Sequence, residues 1–149
     1  MRPEKWFPSE TRVPNPLIYV VDDEKVIAST LALILRQSGF VTFPFTNPLE
    51  ALDRARSYAP DLLITDVMMP QLSGIDLALQ IREICPDCKI LLFSGHAATA
   101  DLLRDAREKG HDFNVLSKPI YPNDLLQSIQ TLADSPVPHS PLESLVGRA

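Results

Sequence analysis

Residues 17–24 read LIYVVDDE, a run of five apolar positions that stops abruptly at three acids. The run has no in/out alternation, as expected of a strand covered on both faces, the state of a parallel strand between two helical layers. Two further stretches repeat the design, LLITDVMMP at 62–70 and NVLSKP at 114–119. In an open parallel sheet the strand C-terminal ends line up along one edge, and ligands bind in the crevice outside it. Asp22, Asp23, Asp66 and Lys118, distant in sequence, are therefore expected at one site. Three carboxylates and an ammonium there suit a hard divalent cation beside a phosphoryl group.

Working outward, strand and helix patterns alternate. After LIYVV (17–21), residues 24–38 follow a helical period with Ile27, Leu31, Ile34 and Leu35 on one stripe and Gly39 as a stop. VTFPF (41–45) is a second strand, placed at a sheet edge because Pro44 has no amide to donate to a ladder. Asn47 caps a helix that opens on Pro48 and runs to about Tyr58. LLITD (62–66) is the third strand, and a loop through Pro70 leads to a helix from Ser73 or Gly74 to about Cys85, with Leu77, Ile81 and Ile84 in register. KILLF (89–93), a helix near 97–109, a strand near 113–117 and a helix at 123–133 follow, the last with Leu125, Ile129 and Leu132 on its buried side. Five alternating units predict an α/β fold: a doubly wound three-layer sandwich around a five-stranded parallel sheet of order 2-1-3-4-5. Its switch point, between strands 1 and 3, coincides with Asp22, Asp23 and Asp66.

The 149 residues suffice for one domain with a real core, and 45% apolar with 22% charged residues is ordinary for a globular chain. A net charge of −5 and a pI near 5.1 argue against a general nucleic-acid surface. No apolar run reaches membrane-spanning length and no signal-peptide core opens the chain, which points to the cytoplasm. Of 14 prolines, four lie in 1–16 and three in 134–149. These borders predict an N-terminal extension (1–16), a folded domain (17–133) and a Pro-rich flexible tail (134–149), with Trp6 and Phe7 able to dock on the domain. Cys85 and Cys88 form a lone CPDC at the end of a helical pattern; without a second pair they read as two reduced thiols in a loop, neither redox pair nor zinc site.

Taken together, the acid pair after strand 1, DVMMPQLSG after strand 3, SGHA after strand 4 and SKP after strand 5 resemble the receiver domain of two-component response regulators, over about residues 17–133. The resemblance implies a flavodoxin-like fold and a phospho-accepting role for Asp66. It implies Mg²⁺ binding by Asp22 and Asp23, with Asp23, Asp66 and the Met68 carbonyl as direct ligands. Lys118 is then the cation that meets Asp66 and the phosphoryl group, and Pro119 follows a cis peptide bond. Ser94 is the hydroxyl that reports phosphorylation, with Gly95 leaving room beside it. Met68 and His96 occupy the two positions that tune the lifetime of the aspartyl phosphate. The implied partner is a sensor histidine kinase or a phosphotransfer protein, with no direct nucleic-acid or membrane contact and a monomer or weak dimer as the working form. The chemistry is that of a signalling domain that phosphorylates and dephosphorylates itself with Mg²⁺, rather than that of an enzyme.

One position departs from the pattern. Val115 stands three residues before Lys118, where receivers carry the aromatic that swings with the Ser/Thr; Phe113 is the nearest substitute. The lack of a recognisable effector after residue 133 suits a single-domain regulator, either a phosphorelay intermediate or a protein-binding switch. Two other readings compete. A receiver-like interaction module insensitive to phosphate is opposed by the intact acid, serine and lysine set. An aspartate-nucleophile phosphohydrolase needs an acid two residues after the nucleophile, where this chain has Met68.

Overall fold

The computed structural model of the protein describes residues 16–95 and 99–134. Five strands alternate with five helices: β1 (Leu17–Val21), α1 (Lys25–Gln37), β2 (Val41–Phe45), α2 (Pro48–Ala55), β3 (Leu62–Asp66), α3 (Gly74–Ile84), β4 (Lys89–Ser94), α4 (Thr99–Glu108), β5 (Asn114–Ser117) and α5 (Pro122–Asp134). The strands form one sheet of order β2-β1-β3-β4-β5, and each neighbouring pair is parallel. The expected topology is the one observed. Pro44 lies in the outermost strand β2 opposite Val20, where its missing amide interrupts no second ladder.

The strand period of two sorts the core into two layers. Ile18, Val20, Leu62, Ile64, Leu91 and Phe93 pack with Leu31 and Leu35 of α1 and with Leu125, Ile129 and Leu132 of α5. Tyr19, Val21, Leu63, Ile90 and Leu92 face the other way, against α2, α3 and Ala106 of α4. At roughly 1.5–3 kcal/mol per fully buried Leu, Ile or Val, either layer far outweighs any cap or ion pair in holding the sandwich together. The buried stripe of α1 is Ala28, Leu31, Ala32 and Leu35, shifted from the expected one. Ile27 and Ile34 are half-buried at its margin, because small alanines let the helix lie closer to the sheet than its isoleucines would.

Local chemistry sets the ends. Asn47 Oδ1 accepts from the Leu49 amide at 2.9 Å with Pro48 following, and Ser73 Oγ accepts from the Asp76 amide at 3.1 Å. Helix α2 closes at Ala55, three residues before the expected end. The Ser57 and Tyr58 amides both turn back onto the Arg54 carbonyl, and Pro60 disfavours helix in the residue before it. Gly39 follows α1 at φ 98°, a left-handed stop that glycine adopts without penalty.

Cys85 and Cys88 are free, as expected, but they are core residues, 7% and 1% exposed. They stand at either end of a turn closed by the Cys88 amide on the Cys85 carbonyl at 3.0 Å. Burial pushes both thiols above their ordinary range, so both are held as inert, protonated side chains. Among the described residues no helix is long and apolar enough to cross a membrane. Trp6, Phe7, both flanking extensions except Pro16 and Asp134, and His96 lie outside the described residues.

Candidate functional site

Each polar group of the site is delivered by a buried strand that ends where the sheet's C-terminal edge begins. Asp22 follows β1; its amide donates to the Phe45 carbonyl at 3.0 Å and its Oδ1 accepts from the Glu24 amide at 2.9 Å. Asp66 ends β3, and the next amide, of Val67, donates to the Phe93 carbonyl of β4 at 3.1 Å. Asp22 is fully buried and Asp66 is 6% exposed, whereas Asp23 is exposed on the rim. Carboxylate oxygens of these three residues lie within 4.8 Å of one another. Lys118 arrives from the far side of the sheet, its Nζ 3.2 Å from Asp22 Oδ2 and 3.3 Å from Asp66 Oδ2. Its amide donates to the Ser94 carbonyl at 3.0 Å, and the peptide bond to Pro119 is cis.

Repulsion between two buried carboxylates at this spacing is about 3 kcal/mol at an effective dielectric near 20. Burial raises the Asp22 carboxyl above its ordinary value; the Glu24 amide and the Lys118 ammonium pull the other way without cancelling it. Burial would by itself weaken the Lys118 ammonium, but Asp22 and Asp66 together outweigh that and raise it. Lys118 is therefore a firm cation. Three carboxylates against one ammonium leave two negative charges uncompensated. A divalent cation with hard oxygen preferences matches both the charge and the donor type, so the residues present fit Mg²⁺.

Two glycines make room for this arrangement. A Cβ on Gly74 would stand 2.0 Å from the Asp66 carbonyl oxygen, so the start of α3 can press on the end of β3 only without a side chain. The Gly74 amide also donates to the Val67 carbonyl at 2.8 Å, closing the loop after Asp66. A Cβ on Gly95 would meet Lys118 Cδ at 3.1 Å, so the space at Gly95 serves the lysine stem. Met68 projects from the β3–α3 loop with its side chain 41% exposed.

Ser94 ends β4 one residue beyond Phe93, the register partner of Asp66. Its hydroxyl shares a hydrogen bond with that of Thr99, the buried first residue of α4. Val115 sits on β5 opposite Leu92, 41% exposed, with no aromatic in its place. Phe113 does not substitute for one. It precedes β5, packs against the α3 side of the core and lies under the Arg82 guanidinium, 4.8 Å from ring centroid to Cζ. Ser94 pairs with Ser117, four residues further along, so roughly 13 Å of strand separates Phe113 from the level of Ser94.

Among the described residues, sequence reasoning singled out the three carboxylates, the Ser94 hydroxyl and the Lys118 ammonium that the fold brings together here, and missed Gly74 and the Thr99 hydroxyl. A glycine in the first turn of a helix weakens it, a readable sign of close backbone approach. Thr99 carries no such sign, since its role arises only from where α4 begins.

Comparison with known proteins bears on the family and the fold. The family model described as the response regulator receiver domain matches residues 18–130. The response regulator receiver protein CpdR of Brucella abortus (strain 2308) is 34% identical over 115 residues, covering 77% of this chain and 94% of CpdR. The transcriptional regulatory protein CreB of Escherichia coli (strain K12) is 32% identical over 115 residues, covering 77% of this chain and 49% of CreB, so the chain spans about half the length of that relative. A crystal structure of a response regulator receiver domain protein from Clostridium thermocellum superposes with a TM-score of 0.71 at 29% identity, covering 80% of this chain and 94% of that one.

Proposed function

The chain belongs to the response regulator receiver domain family, and from that premise we propose that Asp66 accepts a phosphoryl group from a phosphohistidine on a sensor kinase or phosphotransfer protein. The observation that carries this reading is the convergence of Asp22, Asp23 and Lys118 on Asp66, within 4.8 Å for the carboxylates and 3.3 Å for the ammonium. A carboxylate is a weak nucleophile, and transfer is mainly a matter of positioning and charge neutralisation. Asp66 is held by the β3–β4 ladder and the Gly74 contact, with an oxygen facing Lys118. That oxygen forms the new O–P bond as the donor's P–N bond breaks; the imidazole leaves with the bonding pair and regains a proton from solvent. Lys118 balances charge on the transferring oxygens as a point cation, and Ser94 donates its hydroxyl to one of them. Asp22, Asp23, Asp66 and the Met68 carbonyl would hold Mg²⁺, which when bound neutralises charge on the phosphoryl oxygens. Attack of water on phosphorus later breaks the Asp66 O–P bond and returns the carboxylate with inorganic phosphate.

Donor access fits the same edge. An apolar groove of about 490 Å³ lined by Val26, Ile27, Leu31, Pro119 and Ile120 adjoins Lys118, and an amphipathic helix bearing the phosphohistidine suits such a groove. The domain spans residues 17–133, between the extension and the tail, and works as a phosphorelay intermediate or protein-binding regulator in the cytoplasm, as a monomer or weak dimer. The receiver-like module indifferent to phosphate draws support from Val115 alone.

Incubating the protein with Mg²⁺ and acetyl phosphate is expected to add one phosphoryl group in an acid-stable, base-labile linkage, seen by intact mass. No adduct on the wild type, or one that persists in Asp66→Asn, refutes this reading.

A further inference from the structure

Receivers ordinarily carry the switch on an aromatic of the fifth strand, and this chain has Val115 there, half-exposed and without a ring or hydroxyl to couple to Ser94. The Ser94 hydroxyl is nevertheless engaged, through its hydrogen bond with Thr99. Thr99 is 1% exposed and is the first residue of α4. Helix α4 is otherwise lightly anchored, with only Thr99 and Ala106 buried along ten residues, whereas α3 buries five in eleven. An element with so few buried contacts moves at low cost. The bond between Thr99 and Ser94 is one of its ties to the sheet edge, beside the packing of Ala106 and the partly buried Leu103.

We propose that Ser94 and Thr99 form a latch, and that a phosphoryl group on Asp66 opens it by taking the Ser94 hydroxyl. This rests on the phospho-acceptor reading of Asp66. Ser94 is one residue past the register partner of Asp66 on the adjacent strand, and neighbouring strands run about 4.8 Å apart, so a phosphoryl group on Asp66 is within reach of its hydroxyl. The Ser94 hydroxyl has a single proton to donate. To place that proton on a phosphoryl oxygen the Ser94 side chain turns toward Asp66, which carries Oγ away from Thr99 whichever of the two hydroxyls had been the donor, and the first turn of α4 loosens. The signal passes from β4 directly to α4 instead of through β5. Thr99 is in this account a positioning residue.

The latch competes with the phosphoryl group, so removing it makes phosphoryl binding tighter. With beryllium fluoride and Mg²⁺ as the phosphoryl mimic, Thr99→Val is expected to bind about three- to tenfold more tightly than wild type, the span of one ordinary hydrogen bond. Thr99→Ser keeps the hydroxyl and is expected to restore the wild-type affinity. In a Ser94→Ala background, Thr99→Val is expected to change nothing, because the bond is already gone. Amide hydrogen exchange over 99–103 is expected to rise in wild type when the mimic binds. In Thr99→Val it is raised beforehand and stays level. Equal affinity of wild type and Thr99→Val, or an equal gain in the Ser94→Ala background, overturns the latch while leaving the phospho-acceptor role intact. A wild type that binds no mimic overturns both.

Discussion

Asp22 has no exposed surface, and its burial raises the carboxyl above the ordinary 3.8. Between 3.8 and the raised value the native state binds more protons than the unfolded chain. Stability contributed by this group therefore falls as pH rises through that window and stays lower above it. Asp22→Asn removes the titration and leaves Lys118 paired with Asp66. In EDTA, urea denaturation is expected to find the variant more stable than wild type at neutral pH, with the gain vanishing as the pH falls below the ordinary carboxyl value of 3.8. Added Mg²⁺ is expected to stabilise wild type more than the variant, since wild type offers one more carboxylate. A variant no more stable than wild type at pH 7 would show that Lys118 already offsets the burial. At this scale the sequence was nearly transparent, because acids and bases that end apolar strands have few other reasons to be there. Thr99 was opaque, because the partner of a hydroxyl depends on distances that no spacing rule supplies.

The start of α3 is where one element constrains another most tightly. Ser73 caps it, and Gly74 lies against the Asp66 carbonyl so closely that a Cβ would fall 2.0 Å from the oxygen. The obstacle is backbone, which cannot swing aside, so Gly74→Ala has to move α3 or bend the end of β3. The expected cost is about 2–3 kcal/mol in urea denaturation, with slower acetyl phosphate uptake because Asp66 shifts with its strand. A loss under about 0.5 kcal/mol would mean that the loop after Asp66 absorbs the insertion. Element existence and order were legible from periodicity and from Gly39, Asn47 and Ser73. Element ends were less so: α2 stops at Ala55 because of the Arg54 carbonyl turn and Pro60, and the buried stripe of α1 lies over Ala28 and Ala32. Alanine reads as neutral in a hydrophobic pattern, so only packing reveals which alanines face the sheet.

Across the molecule, one edge of the sheet gathers the acids, the lysine and the apolar groove lined by Val26, Ile27, Leu31, Pro119 and Ile120. Val26 is 78% exposed, so Val26→Gln is expected to leave the fold unchanged. Burial of one valine in a docked complex is worth enough to slow phosphotransfer about five- to tenfold at limiting donor. The check is transfer from a phosphorylated histidine phosphotransfer protein that is active on wild type, beside uptake from acetyl phosphate, which is expected to be unchanged. Equal losses with both donors would place Val26 in the phosphoryl site instead of a docking groove. The strand runs LIYVV, LLITD and KILLF determined by themselves an alternating α/β sandwich with a parallel sheet, and Pro44, confined to an edge, fitted the order 2-1-3-4-5 in which the acids meet. Periodicity and strand ends are local properties, so element type and which residues stand at strand ends follow from them, whereas the order of the strands is set by how they pair. Only the tertiary structure decided that Phe113 lies under Arg82, too far along its strand to replace the aromatic missing at Val115, and that Ser94 is bonded to Thr99. Those facts depend on how far one strand extends past its neighbour and where a helix begins, and both are set by packing rather than by any residue's own preference.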